Sequence, residues 1–181
     1  MIATNELQRR AVICIETSFG AIGCELFEDL APATTAYFLN GIDQGLLDGG
    51  SVFRILSAKN QPGKDDPIDV VQFGFRSASK DIPPIIAHET TAITGLRHRR
   101  GTLSIARFAP GAVYHSAFLC VSDTPSLDFG GARHPDGLGF AAFGQVIFGL
   151  DVLDRLHRCA EDQDYMRQPI PLTGITSNRQ P

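Results

Sequence analysis

The chain has 181 residues, 43% apolar and 20% charged, which suits one compact domain with a proper core, since two domains would each be small. A net charge of -4 and a longest basic run of only Arg97-His98-Arg99-Arg100 argue against a phosphate-tracking surface, so nucleic acid is not an expected partner. Nothing approaches the roughly eighteen consecutive apolar residues of a membrane span, and Met1 to Arg10 lacks the apolar centre of a secretory signal; a soluble, cytoplasmic protein with no membrane partner is expected.

In chain order, Ala11 to Thr17 and Ala21 to Phe27 are apolar runs on either side of Ser18-Phe19-Gly20 and read as a β-hairpin. Pro32 suits the opening turn of a helix whose apolar stripe is Ala36, Tyr37 and Phe38, with Asn40-Gly41 as its stop. Further strands follow at Val52 to Leu56, Ile68 to Phe75, Thr102 to Ala106, Ala117 to Val121 and Phe140 to Ile147. From about Gly149 to Cys159 the pattern turns helical again: Val152, Leu153 and Leu156 share one face, and Arg155, His157 and Arg158 lie near the end, where cations suit the dipole. Pro169-Ile170-Pro171-Leu172-Thr173-Gly174-Ile175 is a candidate closing strand.

Three stretches read as loops, Ser57 to Pro67, Arg76 to His88 and Asp128 to Gly139. The last is glycine-rich but lacks the Lys-Ser or Lys-Thr and the strand-to-helix junction of a phosphate cradle, so it reads as a surface loop. With 18 Gly and 11 Pro, turns are many, and seven or eight short strands favour a closed barrel or a sandwich whose helices cover open ends. The domain is expected to span 1–181, with a core at about 11–158 and a tail at 159–181.

Cys14, Cys24, Cys120 and Cys159 have no zinc spacing, and mostly sit in apolar runs, as small hydrophobes in a reducing compartment do. A hairpin turning at Ser18-Phe19-Gly20 would set Cys14 opposite Cys24, the one arrangement that leaves a disulfide open. The five histidines, His88, His98, His115, His134 and His157, show no metal-ligand spacing, and neither a metal nor a cofactor is expected. No Gly-x-Ser-x-Gly elbow is present, and the sequence gives no reason to bring a particular Ser or Cys beside a His.

Arg54 stands apart, because alternation places it with Val52 and Leu56 on one face of an otherwise apolar strand. Such an arginine is ion-paired, or snorkels to the surface, or belongs to a site. Gln72, sharing a face with Ile68 and Val70, and the strand from Ala117 to Val121 supply further wall of the same half-apolar kind. Arg, Gln and aliphatic groups offer no general base, nucleophile or metal; they can bind an apolar group and donate hydrogen bonds to an amide.

Over roughly Val12 to Leu156 the chain resembles the cyclophilin-type peptidyl-prolyl cis-trans isomerases. The likeness is carried by Phe53-Arg54-Ile55, Val71-Gln72-Phe73-Gly74, Gly101-Thr102-Leu103-Ser104-Ile105-Ala106, Ser116-Ala117-Phe118-Leu119-Cys120, Leu127-Asp128, Phe143-Gly144-Gln145-Val146 and Gly149-Leu150-Asp151-Val152. The resemblance implies a mainly β fold, a closed eight-stranded antiparallel barrel capped by two α-helices, with its active face on the outer surface. It implies Arg54 as the catalytic residue and Gln72, Val70, Ala106, Arg107, Ala117, Leu119, Leu127 and Phe140 as substrate-binding positions. Proline-containing peptides or unfolded clients would be the partners, and a monomer is expected.

Departures from the family pattern fall in the pocket. Arg107 stands where the family has Asn, and its charge points to acidic residues beside the proline; Ala117-Phe118-Leu119 stands for Gln-Phe-Phe, Ser126 for a tryptophan and Phe140 for a pocket histidine. A pocket thinned at Ala117 and Leu119 implies an isomerase of reduced efficiency. The alternatives are a catalytically silent module that holds proline-containing segments or a partner protein, and an unrelated barrel that carries small ligands.

Overall fold

A computed structural model of the protein describes residues 10–76 and 84–179. Residues 1–9 and 77–83, on which the signal reading and part of the Arg76 to His88 loop fall, lie outside them.

Eight strands close an antiparallel barrel in the order β1-β2-β7-β5-β6-β4-β3-β8. They are β1 Val12–Thr17, β2 Gly20–Leu26, β3 Ser51–Leu56, β4 Val70–Gly74, β5 Thr102–Arg107, β6 Val113–Cys120, β7 Ala142–Phe148 and β8 Tyr165–Ser177. Among the described residues three α-helices accompany them: α1 Pro32–Asp43, the single turn α2 Thr91–Thr94, and α3 Leu150–His157.

Alternation fills the interior. Ile13 and Ile15 of β1, Val71 and Phe73 of β4, Leu103 and Ile105 of β5 and Phe143 of β7 all point into one core. α1 adds Phe38, whose ring lies 6.3 Å from Phe73 and 5.2 Å from Phe143, and α3 adds Val152, Leu153 and Leu156. α3 buries the stripe read from the sequence, whereas α1 turns a different face inward. Of Ala36, Tyr37 and Phe38 only Phe38 is buried, and Thr34, Thr35 and Leu39 join it while Ala36 is exposed. α1 has no side-chain cap of its own at Ala31. Glu89, remote in sequence, takes that role and accepts from the amides of Ala33 and Thr34, each at 2.9 Å.

Some sequence expectations are revised. α1 runs two residues past Gly41 to Asp43, because Gly41 is a packing glycine: a Cβ there would stand 2.8 Å from the His115 ring. Across the β1–β2 hairpin Cys14 faces Gly23 and Cys24 faces Ile13, so the two thiols take opposite faces of the sheet. All four cysteines are free, and burial pushes the Cys24 and Cys120 thiols far up. The barrel does not end near residue 158. β8 closes it, pairing with β3 through Tyr165–Pro171 and with β1 from Leu172 onward. Pro169 and Pro171, which have no amide proton to give, fall in the half of β8 paired with β3 alone.

Candidate active site

The residues Arg54, Gln72 and Phe118 form one row across the outer surface of the barrel, since Arg54 pairs with Gln72 and Gln72 with Phe118. Leu56, Val70 and Cys120 form the next row. With Ile68, Leu127 and Phe140 these side chains make a second, smaller apolar cluster, separate from the interior. That cluster is the floor of an open pocket of about 370 Å³.

Two irregularities in the sheet aim the polar groups. The β3–β4 register shifts between Val52 and Arg54, so Val52 joins the interior while Arg54 turns outward, and the two do not share a face as plain alternation would have it. On β5 the register shifts between Ile105 and Arg107, which takes Ala106 out of the ladder at the pocket wall.

Arg54 is both paired and in the pocket. Its Nε and Nη2 donate to Asp164 Oδ2 at 2.9 and 2.8 Å, and its guanidinium lies 5.0 Å from the Tyr165 ring centre. The side chain keeps 27% of its exposure, and Nη1 makes no hydrogen bond among the described residues. Gln72 is fixed by its amide nitrogen, which donates to Ser116 Oγ at 3.0 Å and to the Tyr114 hydroxyl at 3.3 Å, so that Oε1 is left as an acceptor. Burial raises the Tyr114 hydroxyl above the usual phenol range, against the lowering effect of its bonds to Ser116 and Gln72.

Of the positions expected at the site, Val70, Gln72, Ala106, Arg107, Leu127 and Phe140 line this pocket together with Arg54. Ala117 and Leu119 do not. They pair with Phe73 and Val71 on the inner face, 0% and 1% exposed, and belong to the barrel core. Ser116, Phe118 and Cys120 hold the outer face of that strand instead. Phe118 supplies the pocket ring, edge-on to Phe140 at 5.6 Å, and Ser116 supplies the polar neighbour of Gln72.

Arg107 also differs from expectation. It clamps Asp136 through Nη1 and Nη2, each at 2.9 Å, donates from Nε to the Gly139 carbonyl, and its side chain is fully buried. Its charge is therefore spent inside the protein. The Asp136 carboxyl is held far below the usual carboxylate range by that clamp. The loop Asp128 to Gly139 is thus tied to β5, and it delivers Arg133 and His134 to the pocket, which Lys64 also lines. Neither the glycines of this stretch nor its charge pattern marks those residues in the sequence.

A Ser-His-Asp constellation is present too, although sequence spacing gave no reason for one. His98 Nδ1 meets Asp128 Oδ1 at 2.7 Å and His98 Nε2 meets Ser104 Oγ at 2.9 Å. Ser104 is 0% exposed and donates to the Ala141 carbonyl, so no acyl group can reach it, and the set is structural. His98 stacks against Phe118 at 6.2 Å and so backs the pocket ring.

The profile of the family described as cyclophilin type peptidyl-prolyl cis-trans isomerase/CLD matches residues 12–177. Peptidyl-prolyl cis-trans isomerase B of Escherichia coli strain K12 is 28% identical over 165 residues, which cover 91% of this chain and 94% of that protein. A cyclophilin type peptidyl-prolyl cis-trans isomerase of Cryptosporidium parvum superposes with a TM-score of 0.74 at 19% identity, covering 95% of this chain and 99% of that one. The same protein, solved in the presence of the dipeptide Ala-Pro, gives a TM-score of 0.73 over 93% and 99% of the two chains. The closed eight-stranded barrel and the profile matched over residues 12–177 define the class. The chain belongs to the cyclophilin-type peptidyl-prolyl cis-trans isomerase family.

Proposed function

We propose that the protein isomerises X-Pro peptide bonds at the outer pocket, with Arg54 as the catalytic residue and proline-containing peptides as its substrates. The observation that carries this is an arginine whose Nη1 makes no hydrogen bond among the described residues and which stands beside the apolar floor of an open pocket of about 370 Å³. An X-Pro bond turns slowly because twisting it costs amide resonance, a barrier of roughly 18 to 20 kcal/mol. No covalent step is needed to lower it. Phe118, Leu127, Val70 and Phe140 receive the ring, Gln72 Oε1 accepts from a backbone amide of the peptide, and Ala106 offers backbone outside the ladder. Arg54 then donates to the proline nitrogen as it becomes pyramidal, or to the adjacent carbonyl, so the twisted bond is held better than the planar one.

Turnover is restrained, on this reading, by Asp164 and not by a thinned pocket. Phe118 and Ser116 fill the places that Ala117 and Leu119 left in doubt, whereas a carboxylate at 2.8 Å draws the guanidinium's field away from the reacting bond. NMR exchange between the cis and trans peaks of an Ala-Pro peptide tests the activity. Arg54→Ala is expected to cut kcat/KM about 100-fold with the fold retained. Exchange equal to that in buffer, or equal in the two proteins, would remove the assignment.

A further inference from the structure

The pocket has a sign. Arg54, Lys64, Arg107 and Arg133 line it and, among the described residues, no Asp or Glu does, although the chain as a whole carries a net charge of -4. Two of the four are neutralised by ion pairs, Arg54 by Asp164 and Arg107 by Asp136. The other two, Arg133 and Lys64, form no ion pair among the described residues. Arg133 is half-buried and its one side-chain hydrogen bond goes to a neutral acceptor, Gln61 Oε1 at 3.2 Å.

From this asymmetry, and resting on the isomerase function above, we propose that Arg133 and Lys64 are specificity residues that select peptides with an anionic side chain next to the proline. Arg133, held half-buried beside an apolar pocket with no counter-charge in contact among the described residues, gains most from an incoming anion because little water is left to screen it, while Lys64, which is exposed, adds a weaker, screened attraction. Burial, and then the like charge of Arg54, lower the Arg133 guanidinium from its usual value, the response of a cation short of negative charge; Asp164 and Asp66 only partly offset it. The geometry also relocates the selectivity expected of Arg107, whose clamp on Asp136 leaves it nothing to offer a ligand. Glutamate, aspartate and phosphoserine share the chemistry required.

The test is a peptide series with Ala, Glu, phosphoserine or Lys placed before, and in a second set after, the proline, assayed by NMR exchange at low ionic strength. The Glu peptide is expected to exceed the Lys peptide about tenfold in kcat/KM at one of the two positions, with phosphoserine at least equal to Glu if phosphopeptides are the source. Arg133→Gln and Lys64→Gln should each shrink the Glu-to-Lys ratio, and the double variant should bring it near one. A wild-type ratio within about twofold of one at both positions, or a ratio unchanged in the double variant, would overturn the proposal. If no peptide is turned over, Ala-Pro included, the isomerase assignment has failed. Chemical-shift titration with the same peptides then gives Kd values, and equal Kd for Glu and Lys peptides, or no binding of either, sinks the selectivity as well.

Discussion

At the scale of single residues, the Arg54–Asp164 pair does two opposed things. It fixes the guanidinium through Nε and Nη2, which favours catalysis by holding the donor in place, and it cancels much of the positive potential, which works against it. Asp164→Asn separates the two, because the amide oxygen can still accept from the guanidinium while the opposing charge is gone. If charge cancellation dominates, kcat/KM on an Ala-Pro peptide is expected to rise by about two- to tenfold, equivalent to at most ~1.4 kcal/mol in the barrier. A fall would show that Asp164 serves chiefly to position Arg54. Arg54 was legible in the sequence as a cation out of place, but its partner was not. Asp164 lies 110 residues away in a stretch with no periodicity to mark it.

At the scale of the strand, face decides role, and one position of offset reverses it. Leu119 looks like a truncated pocket phenylalanine only if the strand is read one residue out of step; its pairing with Val71 puts it inside. Leu119→Phe should therefore overfill the barrel instead of deepening the pocket. The expected result is a loss of about 1–3 kcal/mol of stability in urea unfolding with no gain in kcat/KM. A stable, faster variant would place that side chain in the pocket after all. The same logic explains what sequence could and could not supply. Regular strands with a buried face, such as Ile13-Cys14-Ile15 or Leu103-Ser104-Ile105, announce themselves by alternation, and so the barrel was readable. The bulge before Arg54 broke that alternation at the residue where it mattered most. β8 carries two prolines and a largely exposed face, so it lacked the signal of a strand and showed only as a candidate.

At the scale of the whole molecule, the pocket depends on a loop that carboxylates hold to the barrel. Asp136 is clamped by Arg107 of β5, and Asp128 accepts from both the ring and the backbone amide of His98. Burial alone would raise the Asp128 carboxyl, but the two hydrogen bonds from His98 outweigh it, so this group, like Asp136, sits below the usual carboxylate range. A carboxyl whose folded pKa is depressed binds fewer protons folded than unfolded. It adds stability that is fully present above the unfolded value of about 4, and that is lost as pH falls through the lower folded value. Because both groups anchor the stretch from Asp128 to Gly139, acid should loosen this loop before it unfolds the barrel, whose ladders and apolar core do not titrate. Hydrogen exchange followed from about pH 5 downward is expected to show the amides of Phe129 and Leu138, donors to Thr91 Oγ1 and Asp136 Oδ1, losing protection ahead of those in β4 and β5. Asp136→Asn should bring the Leu138 opening up to neutral pH and lessen the dependence of Tm on pH in the acid range. Protection in the loop that fades only together with the barrel would mean that the clamp does not govern the loop, and that Arg133 is held at the pocket by other contacts.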